Sequence, residues 1–217
     1  GEQRVHSTNN LLTGVAWGIG DKVEYSIEDY AAQLLEDSQY SAEAKAAVKA
    51  LINYGHYAQI ILSEVNNWEL GVDYAETEPC FGTLTATAAD LEPYRFVQSG
   101  NDPLISKVQF TLGLNSQTSI RLLLTTPEKP SVTVDGEAAE VYSSGDDEYY
   151  IVIKDIGAGM LGHTYTVVAN EKETYEFSAL SYATVVLNSS ASEDLQNVVK
   201  ALYEYYMASV AYNATLN

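Results

Sequence analysis

Val48-Lys49-Ala50-Leu51-Ile52-Asn53-Tyr54 has a close copy in Val199-Lys200-Ala201-Leu202-Tyr203-Glu204-Tyr205, which lies near the other end of the chain. The likeness extends upstream, where Tyr30 and the alanine after it match Tyr182 and the alanine after that. A unit that occurs twice and brackets a different kind of sequence predicts two related elements on either side of a central region.

Each copy has the pattern of a helical hairpin. In the first copy, Ser26 is placed to cap a short helix that ends near Asp37, and Ser41 is placed to cap a long one. Apolar or small residues recur along each long helix at steps of three and four, which predicts one packed face. These residues are Ala44, Val48, Leu51, Gly55, Ala58 and Leu62 in the first copy and Leu195, Val199, Leu202, Tyr206 and Ser209 in the second. We expect the two hairpins to pack together, with Tyr54 and Tyr205 at matched positions.

The region between the copies has the pattern of a β domain. It holds all five prolines, and its hydrophobic period is two. Asp135-Gly136 predicts a type I′ hairpin, because both central residues of that turn need positive φ. Residues 156–165 are typical of the corner before a late strand of an immunoglobulin-like sandwich, with Tyr165 as the corner tyrosine. Candidate strands are Phe81 to Thr87, Ser106 to Leu112, Ser119 to Thr125, Ser131 to Asp135, Ala138 to Tyr142, Tyr149 to Lys154, Thr164 to Ala169 and Thr174 to Phe177.

The predicted fold class is therefore α+β: an antiparallel immunoglobulin-like β-sandwich flanked by two sequence-related helical hairpins that pack as a bundle. Residues 1–20 are expected to be a linker or an incoming strand. Residues 21–70 form the first hairpin, 71–178 the sandwich and 179–217 the second hairpin, packed together as one module.

Composition excludes several classes of partner. The chain has 11 Lys and Arg against 30 Asp and Glu, which gives a formal net charge of -19. Nucleic acid and anionic membrane surfaces favour clustered basic residues, so neither is an expected partner. No apolar run reaches the length of about 18 residues that a membrane span needs, so we expect no membrane insertion. A chain rich in Tyr with one cysteine, Cys80, favours an exported bacterial protein that is stabilised by core packing.

The sequence offers little material for catalysis. No Gly-x-Ser-x-Gly elbow occurs, and no His-x-x-x-His pair accompanies the single cysteine. Asp146-Asp147-Glu148 could offer oxygen ligands to calcium, but a solvated turn is the simpler interpretation. We therefore predict no catalytic residues, no metal site and no cofactor, and hence a protein that is not an enzyme.

Aromatic side chains are the remaining candidates for a ligand site, because sugar rings stack on Tyr and Trp. Tyr142, Tyr149 and Tyr150 flank one predicted hairpin, and Trp68 follows the first helical unit. Tyr149 and Tyr150 are adjacent in a strand and must face opposite ways. Tyrosines at helical spacing near the C-terminus are better explained as part of a packed interface.

The residues of the repeat and the central β motifs also carry a resemblance. Val48 to Gln59, Val132 to Gly136 with Tyr149 to Ile153, and Tyr182 with Val199 to Tyr203 resemble an uncharacterised C-terminal module of large secreted or cell-surface multi-modular proteins of anaerobic gut Firmicutes. The resemblance spans residues 20 to 212. It implies an extracellular or cell-surface setting, in which other modules of the same polypeptide are the nearest partners.

Three functions from different classes remain open. The preferred one is a noncatalytic structural or adhesive module of an exported bacterial surface protein, with a glycan or a host surface protein as the adhesive partner. The second is a carbohydrate-binding module that uses exposed tyrosines. The third is a small hydrolase that depends on paired carboxylates, which need a cleft holding two acidic side chains roughly 5 to 10 Å apart. Self-association through an exposed helical face is a further possibility.

Overall fold

The structure is a computed structural model that describes residues 3–4, 13–17, 22–66, 82–114 and 118–216. It is α+β, as predicted. Within the described residues the strands are β1 (Gln3–Arg4), β2 (Thr13–Trp17), β3 (Lys22–Ser26), β4 (Val97–Gly100), β5 (Lys107–Leu114), β6 (Thr118–Thr125), β7 (Val132–Val134), β8 (Glu137–Ala138), β9 (Tyr142–Gly145), β10 (Glu148–Ile153), β11 (Tyr165–Ala169) and β12 (Glu173–Phe177). The α-helices are α1 (Ile27–Glu36), α2 (Ala42–Asn66), α3 (Ala88–Leu91), α4 (Leu180–Leu187) and α5 (Glu193–Asn213).

The chain divides into two compact units. Unit 1 combines the two ends of the chain, Gly1–Ala86 and Ala191–Asn217, and unit 2 is the segment Thr87–Ser190 between them. The predicted segment boundaries differ from this division, because α4 belongs to unit 2 while α5 belongs to unit 1. The placement of α4 has a physical basis in unit 2: the Thr184 hydroxyl donates to the carbonyl of Leu91 at 2.9 Å, and the Ser181 hydroxyl donates to the carbonyl of Tyr94 at 2.5 Å.

Unit 1 is built around the packing of α2 against α5, the long helices of the two sequence copies. Both helices begin with the same cap: Ser41 accepts a hydrogen bond from the backbone of Ala44 at 3.1 Å, and Ser192 accepts one from Leu195 at 3.3 Å. The cap predicted at Ser41 is confirmed. An antiparallel sheet of β1, β2 and β3, and the helix α1 against α2, complete the described part of this unit.

The matched tyrosines of the repeat meet in unit 1. The rings of Tyr54 and Tyr205 stack with their centroids 6.1 Å apart and their planes 7° from parallel. Burial, and then the neighbouring Tyr205, raise the pKa of Tyr54 to about 12. Such a pair contributes ~0.5–1.5 kcal/mol beyond the area it buries.

A single carboxylate also holds the segment after the first helical unit. Glu204 of α5 accepts hydrogen bonds from the backbone of Thr85 at 2.6 Å, from the backbone of Ala86 at 3.0 Å and from the Thr85 hydroxyl at 3.2 Å. Charge-assisted bonds of this kind are stronger than neutral ones. Residues 85–86, at the end of the first segment of unit 1, are therefore hydrogen-bonded to α5 in its second segment.

Unit 2 contains two antiparallel sheets, with strand orders β5-β6-β10-β9 and β4-β12-β11-β7-β8. The hairpins β5-β6, β7-β8, β9-β10 and β11-β12 belong alternately to one sheet and the other. Side chains of both sheets meet in the core, where the rings of Phe110 on β5 and Phe177 on β12 are 5.3 Å apart, edge to face. Phe96 lies beside both, with its ring stacked on Phe177 at 5.9 Å.

The turn predicted at Asp135-Gly136 is confirmed. These residues have φ of 52° and 88°, and Val134 pairs with Glu137 across the hairpin β7-β8. The strand predicted from Ala138 to Tyr142 is interrupted, since β8 ends at Ala138 and Tyr142 begins β9.

The strand predicted from Phe81 to Thr87 is wrong over the residues that the structure describes, Gly82 to Thr87, which are not in a strand. Here Thr87 and Asp90 form a capping box, in which the Asp90 carboxylate accepts from the backbone and hydroxyl of Thr87 at 2.8 and 2.6 Å. The box starts α3 and outweighs the preference of Thr for strands. The first strand of unit 2 is instead β4, which the sequence pattern did not predict.

Two glycines of unit 2 give a matched test of backbone strain. Gly100 and Gly136 have φ of 76° and 88°, but an added Cβ would collide with the carbonyl oxygen of Lys172 only at Gly100. Gly136→Ala should cost ~1–2 kcal/mol, the usual cost of a left-handed alanine. Gly100→Ala should cost more, because a backbone carbonyl must also move. Urea unfolding of both variants measures this, and equal losses would contradict the close approach.

Candidate functional site

The sheet β5-β6-β10-β9 has one face in the core and one turned away from it. Ile120, Leu122 and Leu124 of β6 are at most 1% exposed, so the residues between them, Arg121 and Leu123, point to the opposite side. We call that side the outer face. The strand register assigns to it Lys107, Gln109, Thr111, Arg121, Leu123, Tyr142, Ser144, Glu148, Tyr150 and Val152.

Two of the predicted site residues meet on the outer face. Tyr142 of β9 pairs directly with Tyr150 of β10, and their rings stack at 5.3 Å with an angle of 25°. The Tyr142 hydroxyl donates to the carboxylate of Glu140 at 2.6 Å, which raises the pKa of Tyr142. Tyr142 is 36% exposed, whereas Tyr150 is half-buried. The pair is thus fixed in orientation and presents mainly Tyr142 to solvent.

Arg121 extends this pair into a row of three side chains. Its guanidinium carbon lies 3.9 Å from the centroid of the Tyr150 ring, and one guanidinium N–H donates to the Ser144 hydroxyl at 2.9 Å. Since β10 lies between β6 and β9, the arginine reaches across the strand that carries Tyr150. A cation over a ring face is attracted to its π electrons and leaves no room there for a sugar.

The other two predicted site residues do not join this row. Tyr149 lies on the core side of β10, where it pairs with Leu124 and shares a face with the buried Ile151. The expectation that Tyr149 and Tyr150 face opposite ways is therefore met, and Tyr150 is the outward one. Trp68 lies outside the described residues.

Sequence reasoning missed Arg121. The signal was present in Ile120-Arg121-Leu122-Leu123-Leu124, where alternation places the cation outward on a strand whose other face is apolar. Its contact with Tyr150 depends on β6 and β10 being neighbours, although these strands come from separate hairpins. The alternation of residues along one strand does not indicate which strand lies beside it, so the sequence pattern could not predict this contact.

A second polar cluster lies at the end of β4 and the turn between β11 and β12. Asp102 and Glu173 are 1% and 3% exposed, and each carboxylate accepts two hydrogen bonds. Asp102 accepts from the Asn170 amide at 2.7 Å and from the backbone of Leu104 at 3.1 Å. Glu173 accepts from the Gln98 amide and from the backbone of Asp102. These carboxylates fasten loops to the sheet.

The same contacts determine the ionisation of the cluster. The Asn170 amide, the Leu104 backbone N–H and the Lys172 ammonium together lower the pKa of Asp102. Burial, together with the charge of Glu173, raises the pKa of the Tyr175 hydroxyl in the core beside them. Asp102 is therefore held as an anion and Tyr175 as a neutral phenol.

A shallow cavity of about 270 Å³ opens beside this cluster. Its lining is polar and carries both signs of charge, with Lys129 and Lys172 opposed by Glu128 and Glu171. Among the described residues, no three or more His, Cys, Asp or Glu side chains are grouped to hold a metal ion. Nor does any helix in the described ranges have both the length and the apolar character that a bilayer crossing requires.

Comparison of the chain with protein-family models, with curated proteins and with solved structures gave no match in any of the three. The outer face is the candidate site, because it gathers two of the sequence-predicted tyrosines beside a cation.

The buried cluster yields a prediction about stability and pH. Asn170→Gly preserves the positive φ of 50° but removes the amide that donates to Asp102 and the oxygen that accepts from the Ser131 backbone at 2.9 Å. The Ser131 bond alone is worth ~1 kcal/mol. The bond to Asp102 adds to the unfolding free energy at pH above about 3.9, the pKa of an Asp side chain in the unfolded chain. This contribution is lost as the pH falls toward the lower pKa that Asp102 has in the folded protein.

We therefore expect the loss of unfolding free energy in Asn170→Gly to be larger at pH 7 than at pH 3, measured by urea titration at both. Glu171→Gly is the matched control, since Glu171 also has a positive φ, 57°. It relieves strain and should leave stability equal or higher. A loss in Asn170→Gly that is the same at both pH values would contradict the role of Asp102.

Proposed function

We propose that the chain is a noncatalytic structural or adhesive module of an exported bacterial surface protein. The observation that carries this proposal is that unit 1 is built from two segments of the chain that are far apart in sequence. Related helices of the two segments pack together, and their equivalent tyrosines stack. A fold closed in this way suits a part that joins other modules of one polypeptide, because both ends of the chain belong to the same compact body.

The order of the segments along the chain determines which unit bears a pulling force. A load applied between the two ends of the chain acts first on unit 1, because unit 2 is inserted between its two segments. Within unit 1 the load must separate α2 from α5 and break the hydrogen bonds from Thr85 and Ala86 to Glu204. The packed helices and this carboxylate are the elements that resist extension.

The strand order of unit 2 supports the more specific proposal of an immunoglobulin-like sandwich. Naming β5 as strand A, the two sheets have the orders A-B-E-D and C′-C-F-G, with β4 added beside strand G. Tyr165 is then the first residue of strand F, the position expected for the corner tyrosine. The two helical hairpins are proposed on the sequence repeat and on the caps that α2 and α5 share.

Carbohydrate binding is the second candidate, and the exposure of Tyr142 on the outer face favours it. Tyr150 contributes little free ring surface, since Arg121 covers it and Tyr142 stacks on it. The third candidate, a carboxylate-dependent hydrolase, gains no support from Asp102 and Glu173. Both side chains are buried and accept hydrogen bonds from the loops that they hold.

We propose an extracellular or cell-surface location, which the resemblance of the repeat and the acidic, cysteine-poor composition support. Antibodies raised against the chain should label intact, unpermeabilised source cells as strongly as permeabilised ones. Labelling that requires permeabilisation would place the protein inside the cell and overturn the proposal.

Single-molecule pulling between residues 26 and 216 tests the structural function. Tyr205→Leu removes the stack with Tyr54, so the first unfolding event should occur at lower force than in the unchanged protein. Tyr30→Leu is the control, because Tyr30 is 52% exposed and lies in α1. First events at equal force in both variants, or a first event that belongs to unit 2, would contradict the proposed resistance of α2 and α5 to extension.

A further inference from the structure

The outer face differs in charge from the rest of the chain. The whole sequence has almost three acidic residues for each basic one. On the outer face the register places Lys107 and Arg121 with one acidic residue, Glu148. Just beyond the strands lie one residue of each sign: Lys154, which follows β10, and Glu140, whose carboxylate accepts from the Tyr142 hydroxyl. Charges of the two signs are therefore nearly balanced on this sheet face, whereas the protein as a whole is strongly acidic.

Arg121 is the central charge of that face. It lies on an inner strand of the sheet, and no carboxylate of the described residues forms a salt bridge with it. By contrast, the exposed Arg95 in the same unit pairs with Glu92 at 3.3 Å. Among the described residues, the Tyr150 ring and the Ser144 hydroxyl hold the guanidinium in place, and neither supplies a negative charge.

We propose that the outer face binds an acidic sugar chain, with Arg121 pairing with a sugar carboxylate and the ring of Tyr142 stacking on an adjacent sugar. This inference rests on the adhesive function proposed above and specifies its ligand class. A guanidinium recognises a carboxylate through two parallel hydrogen bonds, and Arg121 is held rigidly enough to present them.

The surroundings of Arg121 match the remaining chemistry of such a ligand. Gln109 and Thr111 are exposed on the neighbouring strand β5 and can bond sugar hydroxyls. Leu123 and Val152 supply half-buried apolar surface beneath a ring. Four strands spaced ~4.8 Å apart span about 14 Å, which is wide enough for an extended sugar chain.

An acidic peptide would share the carboxylate but not the ring. The fixed orientation of Tyr142, whose hydroxyl is bonded to Glu140, favours the apolar face of a sugar ring over a flexible side chain. The hydroxyl end of Tyr142 is also the acidic end of the surface, so the carboxylate of the ligand must lie toward Arg121. These constraints select the acidic glycan.

The test is isothermal titration of the whole chain with polygalacturonate and with the same polymer methyl-esterified, and with sialylated mucin and its desialylated form. The acidic member of at least one pair should bind at least tenfold more tightly than its neutral counterpart. Arg121→Gln should weaken that binding roughly tenfold or more, the loss expected for a charged hydrogen-bonded pair. Tyr142→Ala should weaken it several-fold.

Arg95→Gln is the matched control for charge, since it removes an exposed arginine of the same unit, and its affinity should remain within twofold. Thermal unfolding of each variant excludes loss of the fold. Equal binding of the acidic and neutral polymers, equal effects of Arg121→Gln and Arg95→Gln, or tighter binding to polyglutamate than to either acidic glycan would each overturn the inference. None of these results changes the pulling or labelling outcomes, so the structural function fails or stands separately.

Discussion

The packing of α2 against α5 is the interaction on which the architecture depends, because these helices lie at opposite ends of the chain. Bringing them together closes a loop that includes the whole of unit 2. The entropic cost of closing a flexible loop rises with the logarithm of its length, by ~0.6 kcal/mol for each doubling. Unit 2 reduces that cost when it folds, since α3 near its start and α4 at its end are hydrogen-bonded through Leu91 and Thr184.

This arrangement also explains why a repeat of helices brackets a β domain. The long helix of each copy has an apolar face that needs a partner, and each supplies the partner for the other. The short helix of the second copy has a different partner. α4 buries Leu180, Ala183 and Val186 in unit 2. There the Ser181 and Thr184 hydroxyls donate to the carbonyls of Tyr94 and Leu91, near the start of the unit. The two helices of the second copy therefore belong to different compact units: α4 is buried in unit 2, whereas α5 packs against α2 in unit 1.

The repeat, the cap at Ser41, the α+β class and the hairpin at Asp135-Gly136 could be predicted from the sequence, since each depends on local patterns. An error arose where local patterns competed: the period of two predicted a strand from Phe81 to Thr87, but Thr87 with Asp90 forms a capping box. β4 was missed because its strand is defined by pairing with β12. In the candidate site, the two stacked tyrosines could be selected as aromatics of one hairpin, whereas Arg121 could not, because its contact arises from the order of strands. Residues that act through partners distant in sequence are the ones that pattern alone does not identify.

The charge of the whole protein sets the range over which an acidic ligand can be attracted. A net charge of -19 repels a polyanion at long distance, so the approach to the outer face is not accelerated by electrostatic steering. Salt at physiological concentration limits that repulsion to ~8 Å. The proposed pairing of a sugar carboxylate with Arg121 acts at contact, on a half-buried guanidinium that is less screened by salt. If an acidic glycan binds there, raising the salt concentration should reduce the long-range repulsion more than it weakens the contact, so the association rate constant measured by stopped flow should increase with salt.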